Sequence, residues 1–177
     1  MIERLSGCRS SATTAAQPAA GGQNCPMDST DPYDLERFVR AQADGVYQQA
    51  LAELRAGRKT THWMWFVFPQ LTGLGRSSTA AHFSIADLDE ARAYLQHPVL
   101  EHRLLEAARA VADGPAPTAE HLLGRVDAMK LRSSMTLFEA ANPGGPVFRQ
   151  VLQRYFGGVR DPKTLKLLGP EHHPSQA

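Results

Sequence analysis

Apolar residues recur through most of this 177-residue chain at the three- and four-residue spacing of amphipathic helices. The segment from Asp31 to Gly57 carries such a stripe. It opens with an Asp-Pro pair, which suits the N-cap and the first helical position. We therefore predict one helix here, capped by Asp31 and ended by Gly57. The stripe consists of Leu35, Phe38, Val39, Val46 and Ala50.

Gln42 falls in the middle of this apolar stripe. One interpretation is a glutamine at the end of the stripe that reaches solvent. The other is a buried amide, which must find hydrogen-bond partners and therefore often orients a binding site. The sequence leaves both interpretations open.

The remaining pattern predicts further helices along the chain. Asp87, followed three residues later by Glu90, resembles a capping box and predicts a helix over DLDEARAYLQ. Asp127 is expected to cap a longer helix that Asn142-Pro143 ends. Other helices are predicted from Pro98 to Gly114, from Thr118 to Gly124, and over PVFRQVLQRYFGG and DPKTLKLLG.

The stretch THWMWFVFPQ, residues 61–70, alternates with period two, but both sets of positions are apolar. Periodicity alone cannot separate a buried strand from a buried helical turn here. An isolated strand is not stable, and no second strand pattern is present. We therefore predict an all-α protein: a single compact multi-helix domain with an irregular, aromatic-rich segment at about residues 61–78.

The first 26 residues are small, polar and aperiodic, and they hold both cysteines, Cys8 and Cys25. They lack the apolar region of a signal peptide and the pattern of a transit peptide. We expect residues 1–26 to be a disordered extension, residues 27–169 the helical domain, and residues 170–177 a frayed tail. A domain without cysteine fits the reducing cytoplasm, and a Cys8–Cys25 disulfide is the alternative for the extension.

Charge and spacing exclude several function classes. The net charge of +1 gives no electrostatic case for general nucleic-acid binding. No apolar run approaches the roughly 18–20 residues of a membrane span. The histidines lack metal-site spacing, since His97 and His102 are five apart, off a common helical face. We expect no metal and no cofactor, and the sequence does not set the oligomeric state.

The aromatic segment is the first candidate site. Trp63 and Trp65 offer large planar surfaces, and the glycine-containing turn that follows exposes backbone N–H groups beside a cation. Together these parts suit an aromatic base and an anion. The alternative is a set of core aromatics followed by a surface turn. The candidate ligand contacts in this region are His62, Trp63, Trp65, Gln70, Arg76 and Ser77.

The helix predicted from Asp127 is the second candidate. Asp127, Lys130 and Ser134 share a stripe that borders the apolar stripe of Leu131, Met135 and Phe138. An acid, an amine and a hydroxyl at the edge of a core can coordinate a polar ligand. The alternative is a helix cap and an ordinary ion pair of a few tenths of a kcal/mol.

Two long motifs, HWMWFVFPQL and KLRSSMTLF, identify a family resemblance. From about Asp31 to Leu168 the chain resembles the uncharacterised bacterial family called domain of unknown function 1810. The resemblance implies a compact, mainly helical domain, like that of the mycobacterial hypothetical protein of this group. It implies no established activity.

A shorter resemblance is to the NAD- and ADP-ribose-related (NADAR) family, which is also all-α. Members of that family cleave N-glycosidic bonds in ADP-ribose-type or riboflavin-pathway compounds, using acidic residues and a tryptophan. Val126 stands where that family has the tryptophan of its second motif, so Trp63 or Trp65 would have to substitute. The matching residues are Glu36, Phe38, Ala41 and Gln42 in one motif and Asp127 and Lys130 in the other.

Three functional hypotheses follow. The first is a binding pocket for a small, nucleotide-like molecule without assigned chemistry. The second is an N-glycosidase, a hydrolase in which Asp127 and Glu36 act as the catalytic carboxylates. In that arrangement Gln42 would orient the pocket, and Lys130, Arg76 and Ser134 would contact phosphate or hydroxyl groups. The third is a helical interaction module, which an exposed apolar patch would indicate.

Overall fold

Ten α-helices account for most of residues 31–169, the part of the chain that this computed structural model describes. The prediction of an all-α fold is confirmed. The expected extension, residues 1–26, and the expected tail, residues 170–177, lie outside the described residues. None of the ten helices is long and apolar enough to cross a membrane. In chain order the helices are α1 (Glu36–Ala41), α2 (Val46–Ala56), α3 (Met64–Val67), α4 (Ser78–His82), α5 (Leu88–Gln96), α6 (Pro98–Asp113), α7 (Ala119–Leu123), α8 (Arg125–Ala141), α9 (Pro146–Phe156) and α10 (Pro162–Leu168).

The predicted single helix from Asp31 to Gly57 is wrong, because the structure divides it into α1 and α2. Asp44 and Gly45 have φ angles of 52° and 83°. Residues in this left-handed region cannot continue a right-handed helix, so the chain turns between the two. The turn also changes the helical register, and Val46 is 37% exposed instead of joining the buried stripe.

Asp31 does not cap a helix, which corrects a second expectation for this segment. α1 begins only at Glu36. The Asp31 carboxylate instead accepts hydrogen bonds from the backbone N–H groups of Tyr33 at 3.2 Å and Glu36 at 3.3 Å. It therefore closes the turn that leads into α1.

Three of the other predicted helices begin at a residue whose side chain caps them. The Asp87 carboxylate accepts the N–H of Glu90 at 2.9 Å at the start of α5. Thr118 caps α7 in the same way, through the N–H of His121 at 3.0 Å. At the start of α10, Asp161 accepts the N–H of Thr164 at 2.9 Å. Local side-chain chemistry thus sets these boundaries.

Residues 61–78 form a one-turn helix, α3, followed by a loop, so the predicted irregular segment is confirmed. A single parallel bridge between Leu71 and Ile85 fixes the loop. The aromatic side chains divide between two environments. Trp63 and Phe68 are buried with ring centroids 6.2 Å apart, whereas Trp65 is only half-buried.

The core is centred on α8, which packs against α5, α7, α9 and α10. The predicted stripe of Leu131, Met135 and Phe138 is fully buried there. The Phe138 ring lies 5.3 Å from the ring of Tyr94 on α5 and 5.8 Å from that of Phe148 on α9. The other end of α8 carries Asp127 and Lys130, so the core positions the second candidate site.

Candidate ligand-binding site

Asp127 lies in the first turn of α8 and is not its N-cap, which corrects the predicted helix start. Gly124 is the N-cap residue, and its φ of 80° lets the chain turn sharply between α7 and α8. A carboxylate in a first helical turn is stabilised by the helix dipole. The Asp127 side chain is thus free to contact groups outside its own helix.

The Asp127 carboxylate forms ion pairs with two lysines. Its Oδ2 lies 2.8 Å from the Lys59 ammonium, and its Oδ1 lies 2.8 Å from the Lys130 ammonium. The side chains of Lys59, Asp127 and Lys130 are 11%, 16% and 21% exposed. Burial alone would raise the pKa of Asp127, but the hydrogen bonds from Lys130 and Lys59 lower it. The group is therefore ionised, and the three side chains carry a net charge of one positive unit.

The two lysines also lie beside the two tryptophans. The Lys130 ammonium is 4.5 Å from the centroid of the Trp65 ring, and the Lys59 ammonium is 5.4 Å from that of Trp63. Both distances are typical of cation–π contacts. Trp63 is buried, so Trp65 is the indole that a ligand can reach. We call Lys59, Trp65, Asp127 and Lys130 the Lys-Trp site.

Glu53, at the end of α2, anchors the chain segment that carries Lys59. The Glu53 carboxylate is buried and accepts the N–H and O–H groups of Thr60 at 2.8 and 2.7 Å. It accepts the same two groups of Thr61 at 3.1 and 2.7 Å, and the indole N–H of Trp63 at 2.8 Å. Burial alone would raise the pKa of Glu53, but the hydrogen bonds from Thr60, Gln49 and Trp63 hold it well below its ordinary range.

Sequence reasoning missed both Glu53 and Lys59. The available signal was the run Lys-Thr-Thr-His-Trp directly after the helix-ending Gly57, because it places several hydrogen-bond donors close to one acidic residue. Glu53 also lies next to the buried Leu54 on α2. A buried acid followed by a cluster of donors indicates a fixed turn.

Gln42 is buried, so the second interpretation of this residue is confirmed. Its Nε2 donates to the carbonyl of Phe66 in α3 at 2.6 Å, and its Oε1 accepts from Arg103 at 3.4 Å. Gln42 thereby links the end of α1 to the aromatic segment and to α6. A direct contact with a ligand stays a prediction.

The other predicted site residues lie apart from the Lys-Trp site. Glu36 is exposed, with its carboxylate 3.9 Å from His97, and within residues 31–169 no hydrogen bond or ion pair joins it to Asp127.

Ser77 caps α4 by accepting the N–H of Ala80 at 3.1 Å, and Arg76 is exposed beside it. The Gln70 carbonyl accepts the N–H of Ile85. A cleft of about 300 Å³ is lined by Asp44, Gly45, Val46, Gln49, Thr61, His62 and Trp63.

Ser134, one turn beyond Lys130, is fully buried, and its hydroxyl has no hydrogen-bond partner among the described residues. An unpartnered buried hydroxyl destabilises a fold. We expect Ser134→Ala to raise the free energy of unfolding by about 1 kcal/mol, measured by urea denaturation.

Ser133→Ala is the matched control for this prediction. The Ser133 hydroxyl donates to the Met129 carbonyl at 3.2 Å and lies 3.1 Å from a carboxylate oxygen of Asp161. Its removal should lower the free energy of unfolding by about 1 kcal/mol. A loss of stability in Ser134→Ala would show that its hydroxyl is partnered in solution.

Acid should unfold the protein through its buried carboxylates. Burial alone would raise the pKa of Glu139, but hydrogen bonds from Arg160 and Arg149 lower it, as those from lysine lower the pKa of Asp127. A carboxylate with a lowered pKa in the fold stabilises the fold above its unfolded pKa of about 4, and this contribution is lost as the pH falls below that value.

We therefore expect the free energy of unfolding to fall as the pH is lowered from about 5 to about 3. Urea denaturation at a series of pH values measures it. Glu139→Gln should make the free energy of unfolding depend less on pH, since the variant has no Glu139 carboxylate to titrate. A free energy of unfolding that stays constant across this range would contradict the argument.

Comparison with known proteins gives a family and a solved structure. A family model described as a protein of unknown function (DUF1810) matches residues 32–168. The chain is similar to the crystal structure of the conserved hypothetical protein Rv1873 from Mycobacterium tuberculosis, with 50% identity and a TM-score of 0.76. That match covers 78% of this chain and 98% of the other. No curated protein matches, and the resemblance to the NADAR family stays a prediction.

Proposed function

The chain belongs to the DUF1810 family of proteins of unknown function, and from its geometry we propose that the Lys-Trp site binds a small anionic molecule with a planar ring, of the nucleotide class. The observation that carries this proposal is a pair of partly buried lysines held by one carboxylate, of which Lys130 lies beside the accessible indole of Trp65. This proposal is the first of the three functional hypotheses, and it assigns the ligand to the Lys-Trp site.

The charges at the site favour an anionic ligand. Each ammonium group has three N–H donors, and Asp127 accepts one from each lysine. The remaining donors of Lys59 and Lys130 have no hydrogen-bond partner among residues 31–169, so we propose that they bind a phosphate or carboxylate. Because Asp127 already holds both side chains, little rotamer entropy is lost when a ligand binds.

Trp65 supplies the surface for the planar part of the ligand. Stacking of a base on an aromatic side chain contributes about 1–3 kcal/mol. The Lys130 ammonium lies over one face of the Trp65 ring, 4.5 Å from its centroid, so the base of the proposed ligand would stack on the opposite face. A nucleoside monophosphate has this combination of parts.

The N-glycosidase hypothesis has less support from this geometry. It requires two carboxylates at one pocket, whereas Glu36 is beside His97 and Asp127 is between two lysines. The two ammonium groups also offset the negative charge with which Asp127 would stabilise an oxocarbenium-like sugar. Binding without assigned chemistry is therefore the function that we propose.

Loss of Lys130 should weaken binding. We expect tryptophan fluorescence of the full-length protein to be quenched saturably by at least one of AMP, NAD, ADP-ribose and GMP. Lys130→Ala should raise the dissociation constant of that ligand about 10- to 100-fold, since it removes a charged hydrogen bond.

Lys166→Ala, at an exposed lysine of α10, is the matched control and should bind like the wild type. Equal weakening in both variants would refute a specific role for Lys130. Absence of quenching with every ligand, together with a stable oligomer in light scattering, would favour the interaction module. In that case Val126 and Met129 on α8, which are 61% and 60% exposed, would be the apolar patch.

A further inference from the structure

We infer that Glu53 is a positioning residue for the Lys-Trp site, because its carboxylate fixes residues 60–63 and so determines where Lys59 and Trp65 lie. The consequence for ligand affinity rests on the function proposed above. The positioning itself can be tested without a ligand.

The Glu53 carboxylate is saturated by donors from one short segment. Five hydrogen bonds come from Thr60, Thr61 and Trp63, and a sixth comes from the Gln49 amide at 3.0 Å. The residue is 5% exposed. No lysine, arginine or histidine among residues 31–169 is within ion-pair distance of it. A carboxylate accepts about four hydrogen bonds in good geometry, so Glu53 has no capacity left for another group.

A buried charge at this position depends on the hydrogen bonds that the neighbouring segment supplies. Glu53 is in the last turn of α2, where the helix dipole disfavours a negative charge. Burial of an unpaired carboxylate is also unfavourable unless hydrogen bonds compensate for the lost hydration. A group of this kind selects one conformation of the segment that supplies its donors. Here that segment is the connection between α2 and α3.

The fixed segment leads directly to the Lys-Trp site on both sides. Lys59 precedes Thr60, and its backbone N–H donates to the Leu122 carbonyl of α7 at 2.7 Å, while its ammonium reaches Asp127 on α8. Trp63, whose indole donates to Glu53, immediately precedes α3, which carries Trp65. Three anchors on α2, α7 and α8 thus hold one short segment.

Glu53→Gln is the direct test, since glutamine has the same shape but presents an amide N–H₂ to groups that are themselves donors. Glu139→Gln is the matched control, because Glu139 is equally buried but is held by Arg149 and Arg160 and accepts no hydrogen bond from a tryptophan of the described residues. Both variants of the full-length protein are compared by circular dichroism and by the ¹H–¹⁵N signals of the two indoles.

In Glu53→Gln we expect the Trp63 indole signal to shift and the Trp65 indole signal to shift or broaden, with the helical circular dichroism retained. In Glu139→Gln both signals should stay in place, whatever its loss of stability. The dissociation constant of the ligand identified by fluorescence should rise at least tenfold in Glu53→Gln only. An unchanged Trp65 signal in a folded Glu53→Gln protein would overturn the inference.

A milder variant keeps the inference testable if Glu53→Gln does not fold. Thr61→Val keeps the side-chain shape and removes one hydroxyl donor to Glu53. It should move the Trp65 signal in the same sense by a smaller amount, and no movement would overturn the inference. If the wild type binds none of the four probes, the proposed function fails, and the indole signals still decide whether Glu53 positions Trp65.

Discussion

Replacing Phe138 with alanine is expected to lower the free energy of unfolding by about 3–5 kcal/mol. Phe138 is fully buried on α8, and its ring contacts the rings of Tyr94 and Phe148. The substitution removes a large apolar surface and leaves a cavity where α5, α8 and α9 meet. Close-packed neighbours refill such a cavity only in part.

Urea denaturation followed by far-ultraviolet circular dichroism measures this loss. Phe156→Ala is a suitable control, because Phe156 at the end of α9 is only partly buried. Its cost should be about 1–2 kcal/mol. If Phe138→Ala were no more destabilising than Phe156→Ala, the assignment of the core centre to α8 would be incorrect.

Replacing Arg37 with alanine is expected to cost about 3–5 kcal/mol, because it leaves the buried carboxylate of Glu90 without its cation. The Arg37 guanidinium lies 2.6 Å from Glu90 Oε1. It also donates to the carbonyls of His82 and Ser84 at 3.0 and 2.9 Å. Arg37 thus joins α1 to the start of α5, to the end of α4 and to the loop between α4 and α5.

Arg40→Ala provides the control on the same helix. Arg40 pairs with Asp34 at 3.3 Å, but both side chains are more than half exposed, so the pair contributes little. Its loss should change the free energy of unfolding by less than about 1 kcal/mol. The double replacement Arg37→Met and Glu90→Leu should recover part of the loss, since it removes the stranded charge. A small effect of Arg37→Ala would show that Glu90 finds another partner or water.

Local signals in the sequence were sufficient for much of this fold. Asp87, Thr118 and Asp161 each bond to a backbone N–H three residues ahead, so the sequence around them contains all that sets the helix start. The apolar stripe of α8 likewise follows from spacing alone. Each of these predictions depends on residues within a few positions of one another.

The break between α1 and α2 depends on a weaker signal. Asp44-Gly45 is the only breaker inside a long helical pattern, and glycine within such a pattern is often tolerated. The turn is also stabilised by the buried Gln42 amide, which donates to the carbonyl of Phe66, a residue outside this segment. Such a tertiary contact is not visible in the local pattern.

The Lys-Trp site likewise depends on tertiary contacts that the local sequence pattern does not show. The pairing of Asp127 with Lys130 follows from helical spacing, and the structure confirms that pair. Lys59 joins the pair only because α2, α7 and α8 pack together. The sequence likewise identified both tryptophans as candidates, but the hydrogen bond from Trp63 to Glu53 is what separates the core indole from the accessible one.

In the proposed site Trp65, and not Trp63, faces a ligand held by Lys59 and Lys130. A titration of the ¹⁵N-labelled full-length protein with AMP, followed at the two indole signals and assigned with Trp65→Phe, tests it most directly. We expect the Trp65 signal to move saturably while the Trp63 signal stays in place. Movement of the Trp63 signal alone, or of neither signal with AMP, NAD, ADP-ribose or GMP, would contradict it.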